Sequence, residues 1–186
     1  MELGIDILAM LFAAAFIAAF IDAIAGGGGL ITIPALLMTG MPPAMALGTN
    51  KLQAFGGALS ASIYFLRKRA VNLSEFSFIL LVIFIGSVIG TLLIQNLDAS
   101  LIKKGLPFLI LAIGLYFLFT PKLGESDRKQ RISYAVFALG FGSLLGFYDG
   151  FFGPGTGSLM NLACVTLLGF NLTKATAHAK VMNLTS

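Results

Sequence analysis

Long apolar segments alternate with short polar ones along this 186-residue chain. Most of the apolar segments have about 20 residues, the length at which an α-helix crosses the hydrocarbon core of a bilayer. The pattern therefore predicts transmembrane helices rather than strands. The predicted spans are residues 5–25, 45–66, 76–94, 105–120 and 132–149, and a sixth begins near Thr173 and continues to the end of the chain.

Two further apolar segments, 30–39 and 158–168, are too short to cross a bilayer as helices. At about 1.5 Å per residue, each reaches roughly half-way through the membrane. We interpret them as half-helices or re-entrant segments. Irregular backbone at membrane depth is tolerated only where it is buried in protein or lines a wet cavity, so both segments mark a candidate site.

Composition supports a membrane protein. Charged residues make up 11% of the chain and hydrophobic residues 58%, whereas soluble domains carry roughly 25% charged residues. The net charge of +4 comes mainly from basic residues between the predicted spans. That distribution is typical of cytoplasmic loops, which places 67–72 and 121–131 inside the cell and gives no indication of nucleic-acid binding.

A motif occurs twice, on either side of the hydrophilic stretch 120–131. FIDAIAGGGG at 20–29 matches FYDGFFGPGT at 147–156, and ALGTNK at 46–51 matches ATAHAK at 175–180. We therefore predict a first transmembrane repeat at 1–120, a cytoplasmic linker at 121–131 and a second repeat at 132–186, which we expect to be incomplete. The predicted fold is all-α, a polytopic transmembrane helix bundle built from two homologous repeats with glycine-broken half-helices.

The glycine-rich motifs are the first candidate binding elements. In transporters, paired glycine-interrupted short segments in corresponding positions mark the substrate site, and the N-terminus of a half-helix favours an anion. The alternative is that glycines only let helices approach closely, an interpretation that suits Gly86 with Gly90 and Gly142 with Gly146. Neither motif has the spacing of a phosphate-binding loop of a nucleotide-binding protein.

Lys51 and Lys180 are the second candidate, because an ionisable side chain within a span is costly and indicates function by default. No carboxylate lies near either lysine in the sequence, and snorkelling to the interface is the alternative for Lys51. We predict that both lysines converge on a small anion. The predicted substrate-binding residues are Gly26, Gly27, Gly28, Gly29, Thr49, Asn50, Lys51, Gly153, Gly155, Thr156, Gly157, His178 and Lys180.

Asp22 and Asp149 precede the two glycine runs. They could bind a coupling proton or cation, pair with the lysines, or cap the segment that follows. His178 is either a proton relay or a hydrogen-bonded interior histidine. One histidine, one cysteine (Cys164, interpreted as a core residue) and two separated aspartates make an enzyme improbable, and we expect no metal and no cofactor.

The stretches DAIAGGGGLITIP, GTNKLQ, GFYDGFFGPGTGSLMNLA and ATAHAKVMNLTS closely resemble the sulfite exporter TauE/SafE family. The resemblance implies a multi-pass permease of the inner (cell) membrane with two homologous halves. Together with the residues, it predicts a secondary membrane transporter for a small oxyanion, sulfite or an organosulfonate, with protons as a candidate partner. An anion channel and a non-transporting scaffold or regulatory subunit are the alternatives, and homo-oligomerisation is left open.

Overall fold

The computed structural model describes residues 4–119 and 126–186, and within these ranges it is helical and contains no strand. The all-α class is therefore confirmed for the described chain. The end of the predicted fourth span at Thr120 and the linker residues 121–125 lie outside the described residues. The helices are α1 (Ile5–Ala25), α2 (Gly29–Met38), α3 (Pro43–Arg67), α4 (Leu73–Gln95), α5 (Ala99–Phe119), α6 (Tyr134–Phe137), a π-helical turn (Ala138–Gly142), α7 (Ser143–Phe151), α8 (Thr156–Leu167) and α9 (Leu172–Thr185).

Three described segments are long and apolar enough to cross a membrane: Ile5–Ile24, Leu73–Gln95 and Tyr134–Phe151. The last of these combines α6, the π-helical turn and α7. α2 and α8 are short apolar helices of 10 and 12 residues. Many large apolar side chains on α1 are exposed, Phe12 by 75% and Phe16 by 68%. Such exposure suits a helix that faces lipid, where apolar surface carries no penalty.

Local signals set where the helices begin and end. Asn72, Ser133 and Asn171 precede α4, α6 and α9, and each side chain accepts a hydrogen bond from a main-chain N–H of the first turn. These are N-caps, which satisfy donors that have no intrahelical partner. α1 ends at Gly26, whose φ of +71° lies in the left-handed region that favours glycine. Its end is therefore encoded by the glycine run.

Small residues let α4 lie directly against α7. A methyl group on Gly86 would be 2.7 Å from the main-chain oxygen of Ser143, and methyl groups on Gly90, Gly146 and Gly150 would lie closer still to the facing backbone. This agrees with close packing for three of the four glycines to which we assigned it. Gly142 differs, because it lies in the π-helical turn and has no neighbour within 3.4 Å of the added methyl.

The largest buried cluster joins α4 to the helices that follow the linker. Phe76 and Ile83 of α4 pack with Phe137, Met160 and Met182, all 1% exposed or less. Cys164 is fully buried in the same cluster, as expected of a small core residue. This core holds α7, α8 and α9 in a fixed arrangement against α4, and thereby positions the second motif beside the first.

Candidate functional site

The two glycine-rich helix breaks lie side by side. A methyl group on Gly26 would be 2.6 Å from the main-chain carbon of Gly157, and one on Gly157 would be 3.0 Å from Cα of Gly26. Since both distances are below ordinary van der Waals contact, only glycine fits at this crossing. The start of α8 therefore rests on the break between α1 and α2, which brings the two sequence motifs into one place.

The four consecutive glycines have two different roles in this geometry. Gly26 and Gly28 serve close packing, since a methyl group on Gly28 would be 2.6 Å from the main-chain oxygen of Ala18. Gly27 and Gly29 instead line a cavity. Two of the four glycines thus agree with the packing interpretation, and the other two lie at a cavity.

A cavity of about 270 Å³ lies between the two breaks, α3 and the end of α9. Ten of the residues singled out in the sequence line it, eight from the substrate-binding set and both aspartates. They are Asp22, Gly27, Gly29, Asn50, Lys51, Asp149, Gly153, Gly155, Thr156 and Gly157. Because α2 and α8 both begin at this cavity, the positive ends of two helix dipoles point towards it.

Asp22 caps the turn that leads into α2. Its Oδ1 accepts hydrogen bonds from the main-chain N–H groups of Gly27 (2.9 Å) and Gly28 (3.1 Å). Those two donors are therefore already used and are not available to a bound anion. The capping role, one of three left open for the aspartates, is present at Asp22.

Lys51 and Lys180 both form ion pairs, each with the aspartate of the other motif. Lys180 of α9 lies 3.0 Å from Oδ2 of Asp22 and also donates to the main-chain oxygen of Asp22. Lys51 of α3 pairs with Oδ2 of Asp149. No carboxylate lies near either lysine along the sequence, but the fold brings an aspartate to each, which is the pairing with the lysines left open for Asp22 and Asp149.

The two pairs differ in their access to the cavity. The Lys180 side chain is 3% exposed and that of Asp22 is 15% exposed, and Lys180 is not part of the cavity lining. The Lys51 side chain is 35% exposed and lines the cavity, while Asp149 is 4% exposed. We predicted that both lysines converge on one site. In the structure, Lys51 is accessible from the cavity, whereas Lys180 is enclosed behind the Asp22 carboxylate.

His178 and Thr49 lie away from the cavity. The His178 ring packs against Phe76 and Phe170, and its Nδ1 is 2.7 Å from the main-chain oxygen of Lys174. This is the hydrogen-bonded interior arrangement that we gave as the alternative to a proton relay. Thr49 is exposed on α3, and its hydroxyl is 3.9 Å from the sulfur of Met41.

Several cavity residues were not identified from the sequence. Ala54 and Phe55 follow Lys51 by three and four positions on α3, and Asn183 follows Lys180 by three on α9. Residues at these spacings share a helix face, so periodicity measured from each lysine is the signal that could have found them. Leu184, Thr185 and Ser186 complete the lining.

Comparison with known proteins places this geometry in a family context. Residues 11–186 match the sequence profile of the family described as "Sulfite exporter TauE/SafE". A "Probable membrane transporter protein" of Haemophilus influenzae is 76% identical over the whole chain, which covers 73% of that protein. The "Probable membrane transporter protein YfcA" of Escherichia coli K12 is 57% identical over 97% of the chain and 67% of its own length.

A third relative, from Sinorhizobium sp, is the "Probable membrane transporter protein ORF9". It is 50% identical over the whole chain, which covers 71% of that protein. No solved structure matches the chain.

Proposed function

Because the chain belongs to the sulfite exporter TauE/SafE family of membrane transporters, we propose that it is a secondary transporter for a small oxyanion, sulfite or an organosulfonate. Its relatives are named as transporters and not as enzymes. We further propose a multi-pass location in the inner membrane, in keeping with the three described segments that are long and apolar enough to span it.

The cavity between the glycine breaks is the observation that carries this proposal. The N-terminus of α8 and the ammonium group of Lys51 meet at a space of about 270 Å³. The N-terminus of α2 also lies there, although the turn before it already donates two hydrogen bonds to Asp22. Helix N-termini and lysines both favour negative charge, and a cavity of this size suits a small anion better than a large one. Asn50, which is only 6% exposed, adds a side-chain amide to the lining.

We propose that the two motifs belong to two repeats that move against each other around this cavity, as in other two-repeat transporters. Two observations support this arrangement. The breaks touch at Gly26 and Gly157, and both ion pairs cross from one motif to the other. The substrate would thus bind where the two repeats meet, so that a rocking motion changes the side from which it is accessible.

Uptake of labelled sulfite and sulfoacetate into proteoliposomes tests the proposal. Lys51→Ala should raise the KM for the transported anion about 10-fold to 100-fold, because a hydrogen bond to a charged group contributes about 1.5–3 kcal/mol. Lys68→Ala is the matched control, since Lys68 is an exposed lysine just beyond the end of the same helix.

An unchanged KM in Lys51→Ala would remove Lys51 from the site, and failure of the folded protein to move either anion would refute the proposed substrate class. Anion current without coupling to any gradient would identify a channel instead.

A further inference from the structure

The two ion pairs that join the motifs are held in different ways. The pair of Lys180 with Asp22 is fixed, whereas the pair of Lys51 with Asp149 is open to exchange. We propose, on the basis of the proposed function, that Asp149 couples anion binding to proton binding. In the empty protein, the Asp149 carboxylate forms an ion pair with the ammonium group of Lys51. An incoming anion replaces the carboxylate at that ammonium group. The displaced Asp149 carboxylate then takes up one proton from the solvent.

Asp22 has no comparable freedom. Its Oδ1 accepts hydrogen bonds from Gly27 and Gly28, and its Oδ2 and main-chain oxygen both contact Lys180. Lys180 is 3% exposed at its side chain and does not line the cavity. An anion in the cavity therefore cannot reach the Lys180 ammonium without first removing Asp22 from its cap.

In the described part of the chain, Asp149 lacks the backbone cap that Asp22 has, and one of the two donors of that cap is missing from the sequence of the second motif. In the aligned motifs, Pro154 stands where Gly27 stands in the first copy, and proline has no N–H to donate. The Asp149 carboxylate accepts a hydrogen bond from the ammonium group of Lys51. The second break is secured without the carboxylate, since the Tyr148 hydroxyl donates to the main-chain oxygen of Pro154 at 2.6 Å.

Lys51 is the lysine that a ligand can reach. Its side chain is 35% exposed and lines the cavity together with Asp149. Once an anion neutralises Lys51, the carboxylate of Asp149 is left without its cation at a position that is only 3% exposed. An unpaired charge in such a place is expensive, and protonation removes it. One proton thus accompanies each anion that is bound.

Few other groups could take that proton. Within the described cavity lining, the titratable side chains are Asp22, Lys51 and Asp149. Asp22 from α1 is neutralised by Lys180 of α9, and Tyr148 is bound to Pro154. The described residues of α4 and α8, which pack against α7, contribute no titratable side chain to the lining.

Isothermal titration calorimetry of methanesulfonate binding tests this inference. Methanesulfonate does not titrate near neutral pH, unlike sulfite, and buffers of different ionisation enthalpy reveal how many protons the protein takes up. We expect an uptake close to one proton per anion, with affinity falling about tenfold for each unit of rise in pH. Asp149→Asn should bring the uptake close to zero and make binding independent of pH.

Glu75→Gln is the matched control, because Glu75 is an exposed acid in the first turn of α4, and it should behave as the wild type does. Binding without proton uptake in the wild-type protein would overturn the coupling while leaving anion transport intact. Undiminished proton uptake on anion binding to Asp149→Asn would assign the proton to another group. The wild-type proton count refutes or supports the coupling even if the variant fails to fold. Absence of binding and transport of any sulfur oxyanion would instead refute the proposed function.

Discussion

Alanine at Gly26 should separate the two helix breaks, and its cost can be worked out from the structure. The added methyl group would lie 2.6 Å from the main-chain carbon of Gly157 and 2.8 Å from the main-chain nitrogen of Ser158. Ordinary contact begins at 3.4 Å, and backbone atoms cannot rotate away as a side chain can. Overpacking of this kind costs about 1–3 kcal/mol. The φ of +71° adds about 1–2 kcal/mol for a residue with a Cβ.

Gly40→Ala separates these two contributions. Gly40 has a φ of +81°, and no atom lies within 4 Å of the methyl group that alanine would add. It therefore carries the backbone strain without the clash. Thermal unfolding in detergent, followed by far-ultraviolet circular dichroism, should show Gly26→Ala less stable than Gly40→Ala by about 2 kcal/mol, or about 4–8 °C in Tm. Equal Tm values for the two variants would show that the breaks do not touch at Gly26.

Two further predictions concern the enclosed charges and the histidine. Lys180→Met should lower the free energy of unfolding by about 3–5 kcal/mol in a denaturation assay, because it leaves the largely buried Asp22 carboxylate without its cation. An unchanged free energy of unfolding would contradict the pairing of Lys180 with Asp22. His178→Ala should destabilise the protein by about 2–3 kcal/mol, because it removes a ring packed against Phe76. It should leave the pH profile of anion uptake unchanged, and a flattened profile would restore His178 as a proton relay.

The helices could be predicted because their causes are local. The segment predicted at 5–25 is α1, and the segment predicted at 76–94 lies within α4, Leu73–Gln95. In both, a continuous apolar run determines the helix; a glycine ends α1 and an asparagine cap begins α4. α3 begins two residues earlier than predicted, at Pro43, because proline is well suited to the first position of a helix.

The ion pairs could not be read from sequence proximity, since their partners are 98 and 158 residues apart. The alignment of the motifs gave two equivalent aspartates and two equivalent lysines, but it did not show that each lysine reaches the opposite aspartate. The equal number of acidic and basic residues in the two motifs was the signal from which the ion pairs could have been predicted. Two acids and two bases in apolar surroundings are most stable when they neutralise one another.

Gly27 and Pro154 occupy equivalent positions in the two aligned motifs, but the turns that contain them are held in different ways. At the first copy, the N–H of Gly27 anchors Asp22, so that carboxylate, turn and Lys180 form one fixed unit. At the second copy, proline removes that donor, and the Tyr148 hydroxyl takes over the task of holding the turn. The Asp149 carboxylate is thereby left to a lysine that faces the cavity. In the coupling proposed above, the pair of Lys180 with Asp22 stays closed while the pair of Lys51 with Asp149 opens, and the proline at position 154 contributes to that distinction by removing one donor.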